Sequence, residues 1–185
     1  FNEHMSTESF GYSPSAAKPA KAVADWISRG MDIEINNFAP ATEIDLCLAH
    51  DPKFVRGVLT RKLPNGHGNR IESVTNSCLW TCGSLVASAR EALNAGITCS
   101  PTSGFHHAGH SYNGAFCTFN GLVIAARKLI NEGAVSCVGI LDCDQHYSDG
   151  TIDILDKLEL HDVIHNWTFG DEFGHRGDFR QGVFL

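Results

Sequence analysis

The apolar run VSCVGIL, residues 135–141, ends abruptly in DCDQHYSDG, residues 142–150, and that junction constrains the fold more than any other stretch of the chain. The run lacks polar alternation, which predicts a strand covered on both faces, as in a parallel sheet. Segments with helical periodicity flank it: FCTFNGLVIAARKLINEG (116–133) before and TIDILDKL (151–158) after, with DVIHNW (162–167) following as another strand. The same order occurs upstream, where the long helix SVTNSCLWTCGSLVASAREALNAG (73–96) leads to a strand ITCS (97–100) and a polar loop PTSGFHHAGHSYNGA (101–115). Strand, loop, helix, strand reads as parallel βαβ units, so the expected fold is α/β, an open parallel sheet flanked by helices. Loops at the carboxyl ends of such strands gather on one rim. The two polar loops, 101–115 and 142–150, should therefore meet.

The 185 residues suit one domain, 1–185. Residues 1–15 are polar and turn-rich and read as a loose arm. A helix over 17–30 is expected to stop at Gly30, and IEIN (33–36) reads as a short strand. ATEIDLCLAHD opens on Thr42 with Asp45 three residues on, close to a capping box, and Pro52 starts the next helix. RKLPNGHGNR (61–70) is a polar loop, and Gly96 should close the long helix. With 43% hydrophobic and 19% charged residues the chain is globular in composition. The net charge of −7 argues against sequence-independent nucleic-acid binding and is compatible with a cationic substrate. No apolar run approaches the roughly 20 residues of a membrane span, and no leader is expected from the polar N-terminus. Seven scattered cysteines without a CxxC pair read as buried free thiols of a reducing, cytoplasmic compartment.

Asp142, Asp144 and His146 are spaced by two, so extended backbone would aim all three side chains to one side. Two carboxylates so close repel, and one would protonate unless a cation sat between them. Oxygen and imidazole donors together suit zinc, with iron or cobalt as alternatives. A solvated turn is the competing reading, since Asp149-Gly150 is a common turn dipeptide. In the other loop, His106 and His107 would point in opposite directions if extended. That makes a poor chelating pair but a reasonable pair of acid–base groups, each backed by a carboxylate; Asp142 and Asp149 are available. His110 reads as a surface residue.

Together, SGFHHAGHSYNGAFCTFNGLVIAA and VGILDCDQHYSDGT resemble the histone deacetylase superfamily, which includes acetylpolyamine amidohydrolases and shares its fold with arginases. The likeness rests on His-His-Ala, Phe-Cys ahead of Phe-Asn, and Asp-x-Asp-x-His, and with ATEIDLCLAHDPKFV it runs from about residue 14 into the 160s. It implies a zinc-dependent amidohydrolase that removes an acyl group from acyl-lysine or an acetylpolyamine. Asp144 and His146 match metal ligands, and His107 matches the group that takes a proton from the attacking water and passes it to the leaving amine. His106 matches its companion, while Asp142 and Asp149 match the carboxylates behind His106 and His107. Phe116 and Gly114 match the substrate channel, and a structural K+ is implied near Asp142, Asp144 and His146.

The chain departs from the family at Ala115, where Gly is usual, and at Tyr147 and Ser148, which replace His and Gly. LPNGHGNR offers no acidic counterpart to the loop that grips a substrate backbone. These changes argue against a histone substrate more than against the chemistry. The family's third metal ligand and transition-state Tyr fall beyond HRGDFRQGVFL, while Asp171, Glu172 and Asp178 read as a solvated loop. The resemblance is thus to an N-terminal half, an incomplete sheet expected to associate with itself or with a missing C-terminal half. Two alternatives stand beside it. Arginase-like ureohydrolysis wants a carboxylate where Ser148 sits, and a truncated or non-catalytic module would keep the fold without the chemistry.

Overall fold

The computed structural model describes residues 1–8 and 13–170. Its helices are α1 (Lys18–Ser28), α2 (Glu43–Leu46), α3 (Pro52–Leu59), α4 (Glu72–Ala95), α5 (Gly121–Asn131) and α6 (Asp149–Lys157); the strands are β1 (Val138–Asp142) and β2 (Ile164–Thr168). β1 and β2 pair in parallel, with Val138 opposite Ile164 and Asp142 opposite Thr168. The connection between them is loop 143–148 and α6, one βαβ unit. The result is a small open parallel sheet flanked by helices.

The core is apolar and continuous. Val55 and Val58 of α3, Cys78 and Cys82 of α4, Val123 and Ile124 of α5, Ile140 of β1, Ile154 and Leu155 of α6 and Ile164 of β2 share it with Phe54 and Phe119. Gly96 ends α4 at φ 83°, a conformation that costs glycine nothing. α5 starts at Gly121 rather than near Phe116, because Asn120 caps it by accepting the Val123 amide.

α2 carries the capping box its sequence announces. Thr42 Oγ1 accepts the Asp45 amide at 3.2 Å, and Asp45 Oδ2 accepts the Thr42 amide at 2.8 Å. The other Asp45 oxygen takes Lys128 Nζ of α5 at 2.5 Å. Burial pushes the Asp45 carboxyl up, but Lys128 and Thr42 outweigh it and hold it below its ordinary value. Thr42→Ala removes the cap and should lower stability by about 1 kcal/mol, read from the denaturant midpoint.

Several expectations fail for physical reasons. Among the described residues β1 is covered on one face only: Ile140 is buried, but Leu141 and its partner Trp167 are 55% and 54% exposed. The short segments IEIN and ITCS form no strand. The hydroxyls of 97–100 are spent on α4 instead of a ladder, with Thr98 Oγ1 donating to the Ser88 carbonyl at 2.7 Å and Ser100 Oγ donating to Ser84 Oγ at 2.8 Å. Of the expected arm 1–15, the described residues 1–8 pack against the body of the chain. A 3-10 turn over Glu3–Met5 places Met5 at 1% exposure, Ser6 Oγ accepts the Ala20 amide, and the Thr7 amide donates to the Ala16 carbonyl. Burying a methionine is worth about 2 kcal/mol, enough to order a short turn. Of the cysteines, Cys78, Cys82 and Cys117 are buried but Cys99, Cys137 and Cys143 are exposed, so the buried-thiol reading holds for only part of the set. Among the described residues no helix is long and apolar enough to cross a membrane.

Candidate active site

β1 delivers Asp142 to the rim of the sheet, and the chain then bends rather than continuing extended. Asp142 Oδ1 accepts the Asp144 amide at 3.0 Å, and Asp144 Oδ1 accepts the His146 amide at 2.8 Å. These are two successive Asx turns, so the alternating row expected of an extended stretch is replaced by carboxylates folded back on the backbone. The remaining Asp142 oxygen lies 2.5 Å from His106 Nδ1, and Asp144 Oδ1 lies 2.8 Å from His146 Nδ1. Burial raises both carboxyls. For Asp142 the His106 hydrogen bond and the Asp144 amide outweigh it, and for Asp144 the His146 amide and ring do. Both end below the ordinary carboxylate range. Amide and imidazole donors therefore favour the ionised form of both acids.

His106 and His107 occupy a turn, which brings their rings to 4.1 Å instead of sending them apart. His106 Nδ1 is held by Asp142 and His107 Nδ1 by Asp149, each at 2.5 Å. A carboxylate accepts, so each Nδ1 carries the proton. Burial works against a charged His106, but the Asp142 hydrogen bond and charge, with Asp144 and Asp149 behind, hold its pKa above the usual value. The His107 and His146 rings are 5.8 Å apart. All six residues expected to carry chemistry thus share one volume.

The packing beneath the loops explains why they meet. The Thr151 amide of α6 donates to the His106 carbonyl at 3.0 Å, and Gly150 lies directly on the His107–Ala108 backbone. His50, 1% exposed, faces the Gly109 carbonyl with Nδ1 at 2.8 Å and accepts the Asn120 amide on Nε2 at 2.8 Å. His110 is not a bare surface residue, since its ring lies 2.9 Å from the Ala49 carbonyl and its amide donates to Asp153. The Tyr112 ring lies against Gly109 beside Asp153 on the same rim, and burial, with Asp149 and Asp153 adding to it, pushes its phenol up to about 12. Nothing local in the sequence marks His50, whose partners Gly109 and Asn120 lie 59 and 70 residues away, and the cap position of Asn120 does not announce its long-range bond to Thr151.

Gly114 and Cys117 pair as an antiparallel bridge, and the two residues between them, Ala115 and Phe116, have φ of 45° and 66°. That is the sign pattern of a type I′ turn, usually made by Gly or Asn, and it presents Phe116. Loop 61–70 holds the turn in place. The Phe116 amide donates to the Gly66 carbonyl at 2.9 Å, the Gly66 amide donates to Thr118 Oγ1 at 3.0 Å, and a Cβ on Gly66 would strike the Cys117 carbonyl. The His67 ring meets Phe116 edge-on at 5.7 Å, and burial lowers its pKa.

Asp144 and His146 offer adjacent oxygen and nitrogen donors, a fit to two positions of a zinc-type site. A catalytic zinc takes about three protein ligands, and among the described residues no group of three forms a metal cluster. Asp171, Glu172 and Asp178 lie outside the described residues. Ser148, where a two-metal centre would want a carboxylate, is buried with its hydroxyl accepting Asn166 Nδ2 at 2.9 Å.

The acetylpolyamine amidohydrolase 2 of Pseudomonas aeruginosa is 35% identical over 106 residues, covering 57% of this chain and 28% of that protein. The acetylpolyamine amidohydrolase of Mycoplana ramosa is 37% identical over 87 residues, 47% of this chain and 24% of its own length. The solved HD domain of HDA15 superposes with a TM-score of 0.75 at 20% identity, covering 99% of this chain and 55% of that one, which shows the fold. The chain thus spans well under two thirds of these relatives. The family profile of the histone deacetylase domain matches residues 14–167, a span that holds both histidine–aspartate pairs, the Asx turns and the Phe116 turn, and the chain accordingly belongs to the histone deacetylase family.

Proposed function

We propose that the full-length protein is a zinc-dependent deacetylase acting on an acylated amine. The observation that carries this is the pair of His–Asp contacts at 2.5 Å beside His146. His107 Nε2 takes the proton of the attacking water and passes it to the leaving amine, while Asp149 fixes the tautomer through Nδ1. His106, whose charged form its carboxylate neighbours favour, would lend positive charge to the oxyanion. Asp144 and His146 would hold the metal together with a third ligand, and such an ion supplies Lewis acidity to an amide carbonyl and acidity to water. Iron or cobalt would fit the same donors, and a structural K+ beside Asp142, Asp144 and His146 belongs to the same reading.

Phe116 and Gly114 form part of a channel for an extended acylated chain. A small cationic amine such as an acetylpolyamine suits the net charge of −7 and the absence of acids in LPNGHGNR better than a histone tail. The half-exposed Leu141–Trp167 face supports association with the rest of the fold or a second copy. Free thiols suit the cytoplasm.

The test is zinc content together with acetate release from acetylpolyamine and acetyl-lysine substrates. Asp144→Asn should lose zinc. His107→Asn should keep zinc and lose acetate release by about 100- to 10,000-fold. A full-length protein that binds zinc and stays inert on every acylated amine would instead be a non-catalytic module of this fold.

A further inference from the structure

We infer that Asn120 is a positioning residue that fixes the His107–Asp149 pair from behind, through a buried clamp completed by Thr151. Asn120 and Thr151 are both fully buried. Asn120 Oδ1 accepts the Val123 amide at 3.2 Å as the cap of α5. One hydrogen of Nδ2 goes to the Ala108 carbonyl at 3.1 Å and the other to Thr151 Oγ1 at 3.0 Å. Its backbone amide donates to His50 Nε2, whose ring reaches the Gly109 carbonyl.

These partners lie on both sides of the pair. Ala108 follows His107 directly, Thr151 is two residues after Asp149, and the Thr151 amide holds the His106 carbonyl. One side chain therefore links the loop carrying the imidazole to the helix carrying its carboxylate. Both donors and the acceptor of the amide are engaged, so its orientation has no freedom. Turning it over would set Oδ1 against the Ala108 carbonyl, acceptor to acceptor. Proton transfer demands placement to a fraction of an ångström, and a clamp without spare rotamers supplies it.

The capping and clamping roles can be separated. Asn120→Asp keeps an acceptor for the Val123 amide but removes both donors and sets a carboxylate oxygen against the Ala108 carbonyl. Thr151→Val keeps the shape at the other end and deletes the hydroxyl that Nδ2 meets; Thr151→Ser restores it. The measurement is exchange of the His107 Nδ1 proton by NMR of 15N-histidine-labelled full-length protein, with the backbone amides of α4 as reference. For Thr151→Val, exchange at His107 should quicken by about tenfold with the α4 amides unchanged, and Thr151→Ser should return it to the wild-type rate. Asn120→Asp, where it folds, should do the same or more. Equal change at His107 and α4, or no change at either, overturns the assignment. The kinetic counterpart, a lower kcat at constant KM, rests on the proposed deacetylase reading. The exchange measurement does not, so the two can fail separately.

Discussion

Replacing Gly150 by alanine should destabilise the protein by about 3 kcal/mol and pull His107 away from Asp149. Gly150 sits in the first turn of α6, and its backbone is outside the left-handed region, so conformational freedom is not what the position needs. It needs space. A Cβ there would lie 2.5 Å from the His107 carbonyl carbon and 2.6 Å from both the amide nitrogen and carbonyl carbon of Ala108. These are backbone atoms with no rotamer to give, so α6 would have to lift off the histidine loop. Lifting it breaks the bond from the Thr151 amide to His106 and loosens Asn120 from Thr151. Alanine's helix propensity returns only about 1 kcal/mol. Gly109→Ala makes a useful contrast, because there the nearest atoms belong to the side chains of Tyr112 and Asp153, which can turn aside. Denaturant midpoints should rank Gly150→Ala far below Gly109→Ala. Equal midpoints would mean that α6 does not rest on the His107–Ala108 backbone.

Gly150 also shows where a sequence stops being informative. As Asp149-Gly150 it reads as a turn dipeptide, yet it opens a helix and its function is close approach, which no local pattern records. The strand leading to Asp142 was legible because its apolar run, breaking acid and following helix are all local signals. So was the capping box of Thr42 and Asp45, a contact across three residues. That two spare aspartates, Asp142 and Asp149, were available to back the two histidines could be read from chemistry, since imidazoles with acid–base work need fixed tautomers; which acid backs which histidine came from the family resemblance. IEIN and ITCS misled because four apolar-leaning residues do not make a strand without a ladder partner, and ITCS has hydroxyls that α4 can take. The Asx turns after Asp142 depend on which amides lie within reach, which spacing by two does not determine.

His50 sets the second large expectation: acidification from pH 6.5 to about 4 should cost about 3 kcal/mol of stability. Burial pushes this imidazole down to about 4 from its ordinary 6.5. His110 nearby opposes its protonation, while the carbonyls of Gly109 and His110 and the charge of Asp153 favour it, and burial wins. The rings of Phe54 and Phe119, each 5.6 Å away, supply no compensating charge. Between those two values the unfolded chain holds a proton that the folded chain lacks, so stability rises with pH across the window and is lost as pH falls through it. Below about 4 both states are protonated and the slope disappears. The gap, at about 1.4 kcal/mol per pH unit, gives the stated cost. His106 contributes with the opposite sign, because its raised value makes protonation favour the folded state, and its effect falls above 6.5. The carboxylates of Asp45, Asp142 and Asp144, held low, act mainly below the window. His50→Gln can still offer a donor to Gly109 and an acceptor to Asn120, but has nothing to titrate. Urea midpoints at pH 7, 5.5 and 4.5 should fall steeply for the wild type and much less for the variant. Parallel lines for the two would show that His50 is not held neutral behind the histidine loop.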